Sequence, residues 1–304
     1  MARRFLQPEL ARLPEPRLIE EISADRLIQE IKSDVLARWD EVRTERPDLP
    51  ALDTLGLETE PLTVLIEVFA YRETLLRALV NDKARAVLLA FAVGSDLDHI
   101  ALLVGVERAV VAPATNNAPA IMETDDRLRR RIQLAPEAFS VAGPAGAYEF
   151  HALSIDPSIL DAYAYSPREG EVHVILVGED IEPVSDDVMT KLIRTFKLGD
   201  VAPLTDSVTV RRARVVLFDL AVEASVTSGA DTVAVRSSME NAIRAYLATR
   251  ARIGAPVYMA GVIASAKTAD IENIVITQPA GNVLCEPDQI AKLDALTVTV
   301  TVVG

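Results

Sequence analysis

PLTVLIEVFAYRETLLRALVNDKARAVLLAF, residues 61–91, is the stretch from which the rest of the chain takes its order. Its thirty-one residues hold one proline, at the front, and no glycine. Pro61 suits the first position of a helix, where its missing N–H has no partner to lose. Gly94 lies just past the last apolar turn, where a helix C-terminus prefers glycine. The spacing therefore predicts one long helix. At about 100° per residue, Val64, Leu65, Ile66, Val68, Phe69, Tyr71, Leu75, Leu76, Leu79, Val80 and Val87 cover more than half of its circumference. Thr63, Glu67, Thr74, Arg77, Asn81 and Arg85 hold the remaining strip, and Arg72, Glu73 and Lys83 interrupt the apolar side. A helix packed on one core needs an apolar band of only roughly 100°. This one wants two neighbours. Either its own chain covers it, or it is shared with other chains in a bundle, where polar residues in an apolar seam set register and partner. Seven charged residues between Glu67 and Arg85 argue against a membrane span.

A chain of 304 residues has room for two or three domains, each able to bury its own core. Half of the residues are hydrophobic, which excludes a disordered chain. Against 45 acidic residues stand 31 basic ones, a net charge of −14. A nucleic-acid or anionic-membrane partner would need a basic footprint, so neither is expected. The single cysteine, Cys285, excludes an internal disulfide and a multi-cysteine zinc site, and fits a reducing compartment. The opening MARRFLQPELARLPEP has no apolar run long enough for a standard leader.

Working outward, residues 1–18, with Pro8, Pro14 and Pro16, read as an extended arm, and Ile22 to Trp39 as a helix ended by Pro47 and Pro50. Ser95 to Asp98 forms a capping box that opens a short helix stopping at Gly105. Val106 to Val111 reads as a strand and Pro113 to Pro119 as a linker. Thr124 opens a helix with Asp125 and Asp126 in its first turn and Arg127, Arg129, Arg130 and Arg131 behind them. Intramolecular salt bridges or a solvated face account for most of that arginine group; one or two of its members could reach an acidic partner. Ser140 to Gly146 is a small-residue turn and Ala147 to Ile155 a further helix. From about residue 160 strands enter: Glu171 to Val177, one or two between Ser207 and Val226, then Ile271 to Thr277 and Leu296 to Val303. Helices at Ser185 to Phe196, Thr232 to Thr249 and Val257 to Ala266 lie among them. This order predicts an α+β chain, an N-terminal helical region followed by two small mixed strand and helix domains. The expected divisions are an arm and helix at 1–58, a bundle-forming helical region at 59–158, a small α/β middle domain at 159–215 and an α+β C-terminal domain at 216–304.

No constellation of catalytic residues emerges. His99, His151 and His173 are far apart, without HExxH or CxxC spacing, and His173 alternates with apolar residues as a structural histidine would. The phosphate-cradling glycine patterns and GxSxG are absent. Asp125/Asp126 and Asp186/Asp187 sit where helix starts want them. No catalytic residue, metal or cofactor is expected.

Three stretches together resemble the baseplate J-like family of contractile-tailed phages and phage-derived bacteriocins. They are EPLTVLIEVFAYRETLLRALVNDKARAVLLAFAVGSDLDHIA (60–101), TDDRLRRRIQLAPEAFSVAGPAGAYEFHA (124–152), and the run from APLTDSVTV (202–210) through RIGAPVYMAGVIASA and IENIVITQP (252–279). The second is the most specific, and Pro136 within it departs from the pattern by cutting a helix that would otherwise reach Phe139. The resemblance implies a structural part of a six-fold tail baseplate, made in the host bacterial cytoplasm and carried in the virion. Two copies would join one copy of a second wedge protein, with the N-terminal helices in a shared bundle. C-terminal domains would link neighbouring wedges into a ring, in contact with sheath-initiator and hub proteins. The bundle seam is expected at Leu65, Phe69, Leu76, Val80 and Val87, and the contact between wedges at Val257, Tyr258 and Ile263. The alternatives are a soluble hydrolase of unrecognised class, or an adaptor in a phage-derived injection machine.

Overall fold

The computed structural model describes residues 10, 13–14, 23–140, 143–197, 201–203 and 205–302. The arm expected at 1–18 lies outside these apart from Leu10, Leu13 and Pro14, as do Val141 and Ala142 of the small-residue turn. The fold is α+β. The described residues divide into two compact units, those up to Ile100 in one and those from Ala101 onward in the other.

The first unit is built on two long helices, α1 (Ala24–Glu45) and α2 (Pro61–Ala86), which pack together. Ser23 caps α1 by accepting a hydrogen bond from the Arg26 amide. The connecting loop folds back onto α1. There the Trp39 indole donates to the Pro50 carbonyl at 3.0 Å, and Arg43 donates to the Leu49 carbonyl at 3.3 Å. α2 begins at Pro61 as its sequence predicts, but ends at Ala86, short of Phe91. The Leu88 amide bonds the Arg85 carbonyl and the chain then turns, which sinks Ala92 and Leu97 into the core. Gly94, with φ of 54°, therefore opens α3 (Gly94–Leu102) instead of capping α2.

In the second unit the strand expected at Val106 to Val111 shrinks to β1 (Val110–Ala112), paired antiparallel with β2 (Ile121–Met122). The stretch read as a linker is the turn of this ribbon. α4 (Asp125–Leu134) follows, capped by Thr124. Pro136 then starts a 3-10 turn, Ala135–Phe139, which is where the helix was expected to be cut. α5 (Ala145–Ile155) leads to β3 (Ile159–Arg168), a strand the sequence reading missed, and β4 (Glu171–Gly178) pairs with it antiparallel. α6 (Asp186–Lys197) crosses to β5 (Ser207–Arg212), parallel to β4. The sheet order is β3-β4-β5.

A second three-stranded sheet, β7-β6-β8, is formed by β6 (Arg214–Val226), β7 (Ile271–Gln278) and β8 (Gln289–Val302). β6 is antiparallel to β7 and parallel to β8. β8 starts seven residues before the expected Leu296. Phe218, Leu220, Val222, Ala224 and Val226 alternate onto one face, under α7 (Thr232–Arg250) and α8 (Met259–Ala266). α7 contributes Val235, Met239 and Ile243 to that core.

β4 explains how the two sheets hold together. Val174 and Leu176 point into the core formed with α5 and α6, while Ile175 and Val177 pack with Ile253 and Ile290 of the C-terminal module. A strand buried on both faces reads as a continuous apolar run, here VILV. Around it, the Ala213 amide donates to Leu176, the Arg214 amide to Asp288, and the Gly254 amide to Gln289. The Arg214 guanidinium also grips the Asp288 carboxylate through two bonds of 2.8 Å and holds it below the usual carboxylate range.

Candidate assembly interface

With Thr63 set at zero, Ile66, Glu67, Ala70, Thr74, Arg77, Asn81 and Arg85 all fall within about 60° of it on a helix of 3.6 residues per turn. This mostly polar strip is the side that α2 turns toward its own chain. Thr63, Ile66 and Ala70 are buried, while Thr74, Arg77, Asn81 and Arg85 are half-buried. The Thr63 hydroxyl donates to the carbonyl of buried Leu55 at 3.1 Å, and Arg77 is held by Glu73 at 2.7 Å. Small and hydrogen-bonded residues let the strip pack closely at little desolvation cost.

The apolar residues face the other way. Val64, Leu65, Val68, Tyr71, Leu75 and Leu79 are each about half exposed or more; Phe69 reaches 58%, Leu76 62%, Val80 61% and Val87 73%. They fan over an arc of about 180° on the wheel of an ideal helix. All five residues expected in the seam therefore lie on the surface of the chain. A shallow groove lined by Val64, Val68, Tyr71, Leu75 and Leu76 runs along one flank. Nine exposed apolar side chains on α2, with Val87 just past its end, present on the order of 1,000 Å² of surface, beyond the 300–600 Å² patch of an ordinary monomer.

In the C-terminal module, Val257 is buried and bridges Val283 through paired backbone bonds, so it supports the surface from beneath. Tyr258, 47% exposed, lies under the Arg250 guanidinium at 6.0 Å, and Ile263, on α8, is 38% exposed.

All four arginines of α4 are engaged inside the chain. Arg131 ion-pairs with buried Glu123 and donates to the Glu107 carbonyl. Arg127 donates to the carbonyls of Leu153, Asp156 and Pro157 with Glu123 at 3.6 Å, and burial lowers its pKa. Arg129 meets Asp126, and Arg130 meets Asp161. Asp161, fully buried in β3, also accepts the Ile253 amide at 2.8 Å and so ties α4, β3 and the C-terminal module at one carboxylate. The sequence reading passed over Glu123 and Asp161. The only available signal was an acid set in an apolar strand, ILDAYAY.

The histidines do not converge on a carboxylate cluster. His173 is buried between Glu171, at 2.9 Å, and the Tyr165 hydroxyl, at 3.3 Å. His99 is exposed on α3; His151 packs edge-on to Phe150, and burial lowers its pKa. Among the described residues no group of three His, Cys, Asp or Glu side chains is placed to hold a metal, and no helix is long and apolar enough to cross a membrane.

The chain is similar to known proteins over most of its length. The baseplate J-like N-terminal domain matches residues 58–115, the central domain 140–212 and the C-terminal domain 218–299. Baseplate protein J of Escherichia phage P2 is 30% identical over 286 residues, covering 92% of this chain and 93% of that protein. Among solved structures, a chain of the six-fold symmetrised cryo-EM structure of the anti-feeding prophage baseplate aligns with a TM-score of 0.42 at 12% identity. That alignment covers 58% of this chain and 44% of the other, and carries nothing further. The three domain matches in order, with 30% identity to a phage baseplate protein over nearly its full length, show that the chain belongs to the baseplate J-like family.

Proposed function

We propose that this chain is a non-enzymatic structural component of the wedge of a contractile tail baseplate. It enters the wedge through the outward apolar arc of α2. That arc is the observation that carries the reading: a helix that turns its polar strip inward and nine exposed apolar side chains outward, with Val87 just past its end, presents the kind of face that other helices cover. Membership of the baseplate J-like family supports the same setting, since its phage P2 relative is named a baseplate protein.

In this reading two copies join one copy of a second wedge protein, and region 59–158 supplies the shared bundle. Leu65, Phe69, Leu76, Val80 and Val87 form its seam. The C-terminal domain, 216–304, links neighbouring wedges around the hub and sheath initiator. Tyr258 and Ile263 reach the contact while Val257 backs them from the core. Assembly takes place in the host bacterial cytoplasm, and the finished part resides in the virion tail.

Phe69→Asp and Leu76→Asp test the seam. Each places a charge in the arc without touching the inward strip. The double variant should remain folded by circular dichroism yet fail to co-purify with its baseplate partners. Co-purification at the wild-type yield by the double variant would refute the seam.

A further inference from the structure

The arc of α2 carries an internal repeat. Leu65, Phe69 and Arg72 recur eleven residues on as Leu76, Val80 and Lys83. Eleven residues complete three turns of a nearly straight helix, so equivalent side chains line up along the axis about 16 Å apart. Arg72 and Lys83 fall at about 180° and 200° from Thr63 on the helical wheel, on the midline of the arc. Both are exposed, and neither side chain has an ion pair among the described residues. Of the acids next to them in sequence, Glu73 is held by Arg77, and Asp82 is exposed at about 100°, on one flank of the arc and away from its midline.

Two cations on the midline of an apolar seam constrain what covers it. A second copy of α2 laid in register across this line would bring Arg72 and Lys83 against the same residues, and like charges facing each other in a seam disfavour that pairing. A second copy remains compatible with the flanks of the arc, not with its midline. Building on the reading of α2 as an assembly face, we propose that the helix seated along the midline belongs to a different chain and carries carboxylates at the same eleven-residue interval. The two ion pairs, flanked by Leu65, Phe69, Leu76 and Val80, would set both the partner and the register.

The test uses the full chain and two synthetic helices, each two eleven-residue repeats long with a leucine seam. One has glutamate and the other lysine at the repeating seam position, and binding is followed by fluorescence anisotropy. The glutamate peptide should bind at least about tenfold more tightly than the lysine peptide. The variant Arg72→Glu/Lys83→Glu should reverse that order. Equal binding of both peptides, lost for both in Leu76→Asp, would overturn the acidic partner while leaving α2 an assembly face. Binding of neither peptide, with wild-type chains self-associating through Leu76, would make a second copy the occupant and overturn the proposal as well. Binding of the glutamate peptide that Leu76→Asp leaves unchanged would remove the assembly reading itself.

Discussion

Glu123 and Asp126 are three residues apart, each within reach of an arginine, and physically opposite. The Glu123 side chain is fully buried and accepts hydrogen bonds from Arg131 and the Ala109 amide, with Arg127 at 3.6 Å, whereas that of Asp126 is 96% exposed beside Arg129. Replacing Glu123 by Ala leaves Arg131 buried without its counter-charge, which costs about 3–5 kcal/mol. Replacing Asp126 by Ala should cost less than about 0.5 kcal/mol. Urea unfolding should be followed by far-UV circular dichroism, because the only tryptophan, Trp39, lies in the other unit and reports on that unit alone. Equal effects of the two substitutions would contradict this assignment. The sequence shows both acids as ordinary members of a charged helix start. Only the fold separates the one that pins α4 from the one that water screens.

Between elements, the contact between α7 and α8 is set by a glycine. A Cβ added at Gly261 would lie 2.2 Å from the Tyr246 hydroxyl oxygen and 2.4 Å from the ring carbon that bears it; that hydroxyl donates to the Tyr258 carbonyl at 3.3 Å. Alanine in place of a helical glycine ordinarily stabilises by up to about 1 kcal/mol. Here Gly261→Ala should instead destabilise by about 1–3 kcal/mol, through overpacking. The loss should largely vanish in a Tyr246→Ala background, which a double-mutant cycle reads directly. Full destabilisation in that background would place the cause elsewhere. Elements with clear periodicity and end signals were legible: α4 with its Thr124 cap, α6 with its acidic first turn, and β7 with its apolar run. β3 was not, because Asp161 and the small residues of ILDAYAY break the alternation, and their pairing with β4 is settled by tertiary contacts. The end of α2 was misread because Val87 to Phe91 are as apolar as a helix would be; burial of Ala92 and Leu97 turns the chain instead.

For the whole molecule, the width of the apolar band on α2 was visible in the sequence, and so was its need for more than one neighbour. Which side the chain itself would use was not. Apolar patterning alone assigns the greasy side inward. In this chain Thr63, Thr74 and Arg77 go inward because the Leu55 carbonyl, the Ala70 carbonyl and the Glu73 carboxylate respectively satisfy them, which leaves the apolar arc outside. Of the three residues expected at the C-terminal contact, Tyr258 and Ile263 are exposed, and Val257 is occupied by the core. The central claim is that this chain completes its structure only within an assembly. Light scattering of the full chain, alone and co-expressed with the products of its neighbouring genes, tests it most directly. The account predicts a discrete hetero-complex whose mass contains two copies of this chain. A chain that stays monomeric beside every neighbour would contradict it.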